Sequence, residues 1–371
     1  MLSALIDLCS IPGMTQARLR NLLVQFRSPD AIFEASEADL RATKGIGPEL
    51  ARLISNYRRT SQTQARIARA RELNCQAVTF LDSAYPANLR EINNPPPVLF
   101  MRGTIQEQDR VAVAIIGTRR ATPYGTMVAQ RFARGLAEHN VTVVSGLARG
   151  IDTAAHCGAL AGKGRTIAVL GCGVDVYYPP ENRHYYDQIA EHGAVISEFN
   201  LGTGPDAFHF PIRNRIISGL ARAVLAVEAR DSSGVLNTVR WAADQGREVM
   251  AVPGVITAET SYGTNELIKD GARAVTSLDD LLDVLKISRR QVEIAQNQRA
   301  ATEQDQALLR QLSDDPVHID DLAAKTGQSV PQLLGRLLEL EMMGLVRQLP
   351  GMQFVLELGT DDQTKPSGQR P

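Results

Sequence analysis

Cysteine and tryptophan are scarce in this sequence, and long apolar runs are missing. The 371 residues include four cysteines and one tryptophan. Cys9, Cys75, Cys157 and Cys172 form no CxxC pair, and no His/Cys cluster has zinc-ligand spacing. No metal site or disulfide framework is therefore expected, and the cysteines read as small apolar residues in a reducing, cytoplasmic setting. No window approaches the ~20 apolar residues of a membrane span. The opening stretch MLSALIDLCSIPGMTQARLR carries Asp7 and has no basic n-region, so it reads as mature protein and not as a signal peptide. A strong charge of either sign is also missing. The net charge is −1, so any contact with nucleic acid must use a local patch. Two nucleotide signatures are absent as well. There is neither a GxGxxG turn followed by an acidic residue about 20 positions on nor a GxxxxGK[ST] loop, which argues against dinucleotide binding and Walker-type ATP hydrolysis.

What remains is an ordinary globular composition, 44% hydrophobic and 22% charged, long enough for two or three domains. Residues 1–70 have helical patterns and a weak repeat. IPGMTQARLRNLLVQF (11–26) resembles TKGIGPELARLISNY (43–57), aligning Gly13 with Gly45. Each copy reads as a glycine hairpin entering an amphipathic helix, a SAM-like or helix-hairpin-helix pattern. Such a turn can offer amides to a DNA phosphate, or serve only as a capped packing module. A helical stretch bearing Arg66, Arg69 and Arg71 follows. Residues 71–104, with the proline-rich NNPPPVLFMRG, read as a connecting segment.

Apolar strands then alternate with helical patterns. The strands are expected at 111–117, 141–146, 165–171, 194–199, 223–229, 247–254 and 272–277. Near-continuous apolar strands of this kind predict a parallel sheet covered on both faces, a doubly wound Rossmann-like domain over 105–287. A polar linker is expected over 288–302. A winged helix of three helices and a Pro-Gly hairpin is expected over 303–358, and a disordered tail over 359–371. The candidate recognition helix, SVPQLLGRLLELEMMG, carries Arg336 but also Glu339 and Glu341, and the chain beyond 288 is more acidic than basic. This favours a protein-contact or regulatory role over duplex binding.

In an open α/β sheet the turns at the strands' carboxyl ends carry the chemistry. Here they read IIGTRRATPYG (115–125), VVSGLARGIDTAAH (143–156), GCGVDVYYPPENRHYY (171–186), FHFPIRNRIISGL (208–220) and ARDSSGVLNT (229–238). Most are glycine- or serine-rich helix starts; Ser232, Ser233 and Gly234 open the last. In three of them arginine stands beside the glycines or in the first helical turns: Arg119 and Arg120, Arg149, and Arg213 and Arg215. Arginine at a helix N-terminus opposes the macrodipole, so an anion is expected between them. A row of such turns suits a chain of phosphates, and Tyr124, Tyr177, Tyr178, Phe208 and Phe210 are placed to stack on unpaired bases or to fill the core. His156 reads as a satisfied helix histidine, and Asp152 as a cap that orients its turn, pairing with Arg149.

These motifs, in this order and spacing, closely resemble the DNA-processing protein A family, also called Smf. The match covers about residues 80–285, and both flanking modules fit its longer members. The resemblance implies a Rossmann-like single-stranded-DNA-binding protein with no catalytic residue, cofactor or metal. It also implies dimerisation through that domain and loading of a RecA-type recombinase onto incoming DNA during natural transformation, in competence. The implied DNA-binding residues are Gly117, Arg119, Ser145, Gly146, Arg149, Gly150, Arg213, Asn214 and Arg215. One departure is Asn237, polar where an aliphatic residue is common. The competing reading is a phosphoribohydrolase-like nucleotide hydrolase on the same core. That enzyme class has a PGGxGTxxE glutamate, and Val239, Arg240 and Trp241 occupy its region here. A third reading is a winged-helix duplex-DNA regulator.

Overall fold

A computed structural model of the chain describes residues 2–57, 61–80, 82–230, 234–287, 302–313 and 315–356. By its contacts the chain divides into two units, Met1–Leu285 and Lys286–Pro371. The expected linker lies outside the described residues except for Thr302, as do the expected tail, Ser232 and Ser233.

The first unit opens with six helices: α1 (Leu2–Cys9), α2 (Gln16–Phe26), α3 (Pro29–Glu34), α4 (Glu37–Ala42), α5 (Pro48–Ser55) and α6 (Ser61–Glu72). The two glycine hairpins that the repeat predicts enter α2 and α5. The first is capped by Thr15, whose hydroxyl accepts from the Arg18 N–H; the second starts on Pro48. The hairpins brace each other, since Asn21 donates to the Lys44 carbonyl at 2.9 Å. Leu5, Leu8, Leu19, Leu22, Leu40 and Ile54 close a core between them.

Nine strands form one sheet. They are β1 (Cys75–Thr79), β2 (Val98–Gly103), β3 (Ala112–Ile116), β4 (Thr142–Ser145), β5 (Thr166–Val169), β6 (Gly193–Ser197), β7 (Ala223–Ala226), β8 (Glu248–Ala251) and β9 (Arg273–Ala274), in the order β1-β2-β6-β5-β4-β3-β7-β8-β9. All seven strands expected from 105 onward are present, and β3 to β9 pair in parallel. The segment read as merely connecting contributes β1 and β2, an antiparallel pair that extends the sheet from β6. The proline run 95–97 had hidden β2, which starts directly after it. Every residue of β3, β4, β5, β6 and β7 is buried. Each such Val or Ile side chain contributes about 1.5–3 kcal/mol, which is why these runs are apolar on both faces.

The helices that cover the sheet include α7 (Ala87–Arg90), α8 (Pro123–Glu138), α9 (Ile151–Ala161), α10 (Arg183–His192), α11 (His209–Leu220), α12 (Gly234–Asp244), α13 (Glu259–Lys269) and α14 (Leu278–Val284). The chain leaves β3 toward β4 on one side and later returns to β7 on the other. Between β3 and β7 the order reverses, and there a doubly wound sheet opens a crevice.

In the second unit, α15 (Glu303–Leu309), α16 (Ile319–Thr326) and α17 (Val330–Met342) pack with a small sheet. Its strands are β10 (Val317–His318), β11 (Val346–Leu349) and β12 (Gln353–Leu356), in the order β10-β12-β11. This is the winged-helix pattern, with Leu322, Leu333, Leu337 and Phe354 in its core.

Candidate nucleic-acid interface

At the β3/β7 reversal lies a cavity of about 720 Å³. Gly117, Thr118 and Arg119 line it from the turn after β3, Ala148 from the turn after β4, and Asp152 from the first turn of α9. Phe210, Arg213 and Asn214 line it from α11, and Gly234, Asn237 and Thr238 from α12. A much smaller recess beside it joins Arg119 and Arg149 with Gly146, Gly171, Tyr178 and Phe210.

The three site glycines are places where another group comes too close for a side chain. A Cβ on Gly117 would stand 2.5 Å from the Ile151 side chain, and one on Gly146 2.4 Å from the Arg213 guanidinium. On Gly150 it would stand 2.4 Å from the Thr118 carbonyl oxygen. The β3 and β4 turns thus stack backbone on backbone, and the Ile151 N–H donates to Thr118 O at 3.3 Å. This stacking brings Arg119 and Arg149 to the same recess.

The arginines fall into two classes. Arg119, Arg120 and Arg149 are exposed. The Arg119 guanidinium lies over the Phe210 ring, 4.9 Å from its centroid. Arg149 pairs with Glu181, not with Asp152 as the sequence suggested. Glu181 sits on a short turn fixed by Asn182, which donates to Leu147 O at 2.9 Å and to the Thr153 hydroxyl at 2.8 Å. Arg213 and Arg215, by contrast, are buried. Arg213 donates to the carbonyls of Gly146 (2.8 Å) and Val169, tying the ends of β4 and β5 together. Arg215 pairs with Glu198 under α11. The Asn214 amide donates to Asn237 Oδ1 at 3.2 Å, so the departure at Asn237 supplies this residue's partner. Ser145 is also buried, its hydroxyl donating to Ile115 O at 2.6 Å.

Asp152 orients its turn, as expected, by accepting from the Gly146 N–H at 3.2 Å. Burial raises its carboxyl above the usual range, against the opposing pull of Arg213. Burial also pushes the Cys172 thiol up to about 11, so it offers no thiolate nucleophile. Among the described residues, no group of three or more His, Cys, Asp or Glu side chains is placed to hold a metal ion.

His156 is wholly buried. Its Nδ1 lies 2.7 Å from the Thr166 hydroxyl, which donates its own proton to Val143 O. The hydroxyl must therefore accept from Nδ1–H, leaving Nε2 as a bare, buried lone pair without a partner among the described residues. Burial, with Arg213 nearby, pushes its pKa down to about 3 from an ordinary 6.5. Below pH 6.5 the unfolded chain takes up a proton here that the folded chain refuses, so this residue's stabilising share falls as pH falls. The stability gap between wild type and His156→Gln is expected to shrink by about 1.4 kcal/mol per pH unit below pH 6.5. Urea titrations at pH 7, 6 and 5 would read it. A constant gap would mean that the ring is solvated and titrates normally.

Known proteins agree with this architecture. Residues 76–286 match the family described as DNA recombination-mediator protein A. Residues 293–352 match the DprA winged helix domain, and residues 5–56 a SAM-like helix-hairpin-helix tandem. The chain is 32% identical to Protein Smf of Synechocystis over 93% of this chain and 96% of that one. It is 44% identical to DNA processing protein DprA of Streptococcus pneumoniae over 55% of this chain and 72% of that one. The crystal structure of the pneumococcal DprA superposes with a TM-score of 0.68 at 35% identity, covering 76% of this chain and 97% of that one. A DNA processing protein A structure from Helicobacter pylori, described for its single-stranded DNA binding mode, gives 0.51 at 31% identity, covering 57% and 96%. The chain belongs to the DNA-processing protein A (DprA/Smf) family.

Proposed function

We propose that the protein binds single-stranded DNA without sequence preference and acts as a recombination mediator, loading a RecA-type recombinase during natural transformation. The observation that carries the binding is the convergence of Arg119 and Arg149 on one recess at the mouth of the 720 Å³ cavity. Exposed guanidiniums there can fork onto phosphates, and the cavity has room for an unpaired base against Phe210. The Helicobacter relative described for single-stranded DNA binding supports the same substrate. The mediator role follows the description of the family that the chain matches.

In this reading Arg119 and Arg120 meet the DNA, and Arg149 joins them by exchanging its exposed partner Glu181 for a phosphate. Gly117, Gly146 and Gly150 stack their turns, while Ser145, Arg213, Asn214 and Arg215 hold the floor. The protein works by binding and not by catalysis: Asp152, the carboxylate among the described lining residues, is engaged by the Gly146 amide. Val255, Ile256 and Tyr262 expose an apolar surface beyond β8 that suits a homodimer. The winged helix contacts protein in preference to duplex. Arg336 is spent on Asp305 and Glu339, while Leu338 and Met342 stand exposed on α17. No helix among the described residues is long and apolar enough to cross a membrane, and the site of action is proposed to be the cytoplasm.

Fluorescence anisotropy with a labelled strand and its duplex over a salt series tests this. Arg119→Ala and Arg149→Ala are each expected to weaken single-strand binding about tenfold, or 1.4 kcal/mol, and to flatten the salt slope by ~0.7 per lost phosphate contact. Preference for duplex with no effect of either arginine would sink the reading, and so would no binding of either form. In the latter case nucleotide hydrolysis becomes the reading to assay.

A further inference from the structure

We infer that Glu228 is a positioning residue for the strand-binding arginines: through Thr122 it holds the turn that presents Arg119 and Arg120. The inference rests on the DNA reading above.

Glu228 lies two residues past the end of β7 and is buried. It does not line the cavity. Its carboxylate is aimed at the β3–α8 turn, where it accepts from the Thr122 N–H at 3.0 Å and from the Thr122 hydroxyl. Its own backbone carbonyl accepts from the Thr118 N–H at 2.9 Å. One residue thus grips both ends of the span 118–122, and Arg119 and Arg120 stand between the two grips. Thr122 carries the link onward, for its hydroxyl caps α8 by accepting from the Gly125 N–H at 3.0 Å. Helix α8 sits directly on the acid: a Cβ on Gly125 would stand 2.3 Å from the Glu228 carboxyl carbon.

The arrangement has a chemical consequence. The N-terminus of α8 attracts an anion, and Glu228 supplies one from inside the protein. An external phosphate is left to the side chains that point outward, Arg119 and Arg120. No ion pair joins Glu228 to a basic side chain among the described residues, so its hold on the turn runs through Thr122 and the backbone.

A buried acid could also serve stability alone, so the test is a double-mutant cycle read as DNA affinity. Glu228→Gln, Arg119→Ala and the double variant would be compared by anisotropy on a labelled single strand, with thermal unfolding measured in parallel. Glu228→Gln alone is expected to weaken binding about fivefold. In the Arg119→Ala background it should cost only about twofold, because of the two arginines it positions Arg120 alone remains. Unchanged affinity in Glu228→Gln, or the same fold loss in both backgrounds, overturns the inference. If Arg119→Ala itself leaves affinity unchanged, the DNA reading of this turn fails instead, whatever Glu228 does. Should Glu228→Gln not fold, Thr122→Val removes the hydroxyl donor and keeps the acid. The same cycle with that variant is then decisive, with the same non-additivity expected.

Discussion

Gly150→Ala is expected to lower the unfolding free energy by about 3 kcal/mol and to weaken single-strand binding more than tenfold. Two costs add at this position. Gly150 has φ +77° and ψ −125°, a conformation that side chains disfavour. Its missing Cβ is also where the β3 turn passes, 2.4 Å from the Thr118 carbonyl oxygen and 2.8 Å from the Arg119 carbonyl carbon. Both neighbours are backbone, so no rotamer change relieves the contact. The two turns must part, and Arg119 and Arg149 part with them. Gly246 is the control. It also has positive φ, +66°, but nothing lies within 4 Å of its missing Cβ. Gly246→Ala is expected to cost only about 1 kcal/mol of backbone strain and to leave DNA binding unchanged. Denaturant unfolding and anisotropy on the two variants separate strain from contact. Equal losses in both would mean that the stacked turns play no part in binding.

The sequence shows the sheet because burial of β3 to β7 on both faces demands continuous apolar runs, and β3 to β9 all fall on the expected stretches, β6 starting one residue earlier at Gly193. It shows the turns because glycine and arginine mark them. It does not tell an external anion from an internal one. In the sequence these arginine-bearing turns read as waiting for phosphate, yet acids of the protein itself meet them. Glu228 sits under the turn of Arg119 and Arg120, Glu181 on Arg149 and Glu198 on Arg215. These acids are between 17 and 109 residues away along the chain, and only the folded sheet brings them together. The glycines are ambiguous for a similar reason. Close approach of a phosphate and close approach of a neighbouring turn demand the same missing Cβ. One clue for Arg213 was present. Counting from it, Ile216, Ile217 and Leu220 fall at i+3, i+4 and i+7, the spacing of a buried helix face. That places Arg213 on the core side of α11, not among the groups facing solvent.

Arg213→Met should therefore read out as lost stability. The guanidinium is buried and bonded to two strand-end carbonyls, Gly146 O and Val169 O. Methionine fills much of the volume but leaves both carbonyls without their donor and Asp152 without its cation. Removing one member of such a buried set costs about 3–5 kcal/mol. Lysine is not a substitute, since one ammonium on a flexible stem cannot reproduce the planar fork, and Arg213→Lys should recover only part of the loss. The loss also carries a pH signature. Burial already raises the Asp152 carboxyl, and Arg213 opposes that rise. Without the guanidinium the carboxyl rises further. Below pH 3.8 the acid is protonated in both folded and unfolded chains and adds no penalty. Above that, the unfolded chain ionises freely while the folded chain must resist or bear a buried charge. The deficit of Arg213→Met should accordingly be deepest at neutral pH and shrink toward pH 4. An arginine that served DNA from the surface would behave in the opposite way. Its removal would leave the unfolding free energy within about 0.5 kcal/mol of wild type at every pH and would flatten the salt dependence of binding. Denaturant titrations of Arg213→Met beside Arg119→Ala decide between the two roles. The first should lose stability and bind in proportion to its folded fraction, whereas the second should stay folded and lose the DNA.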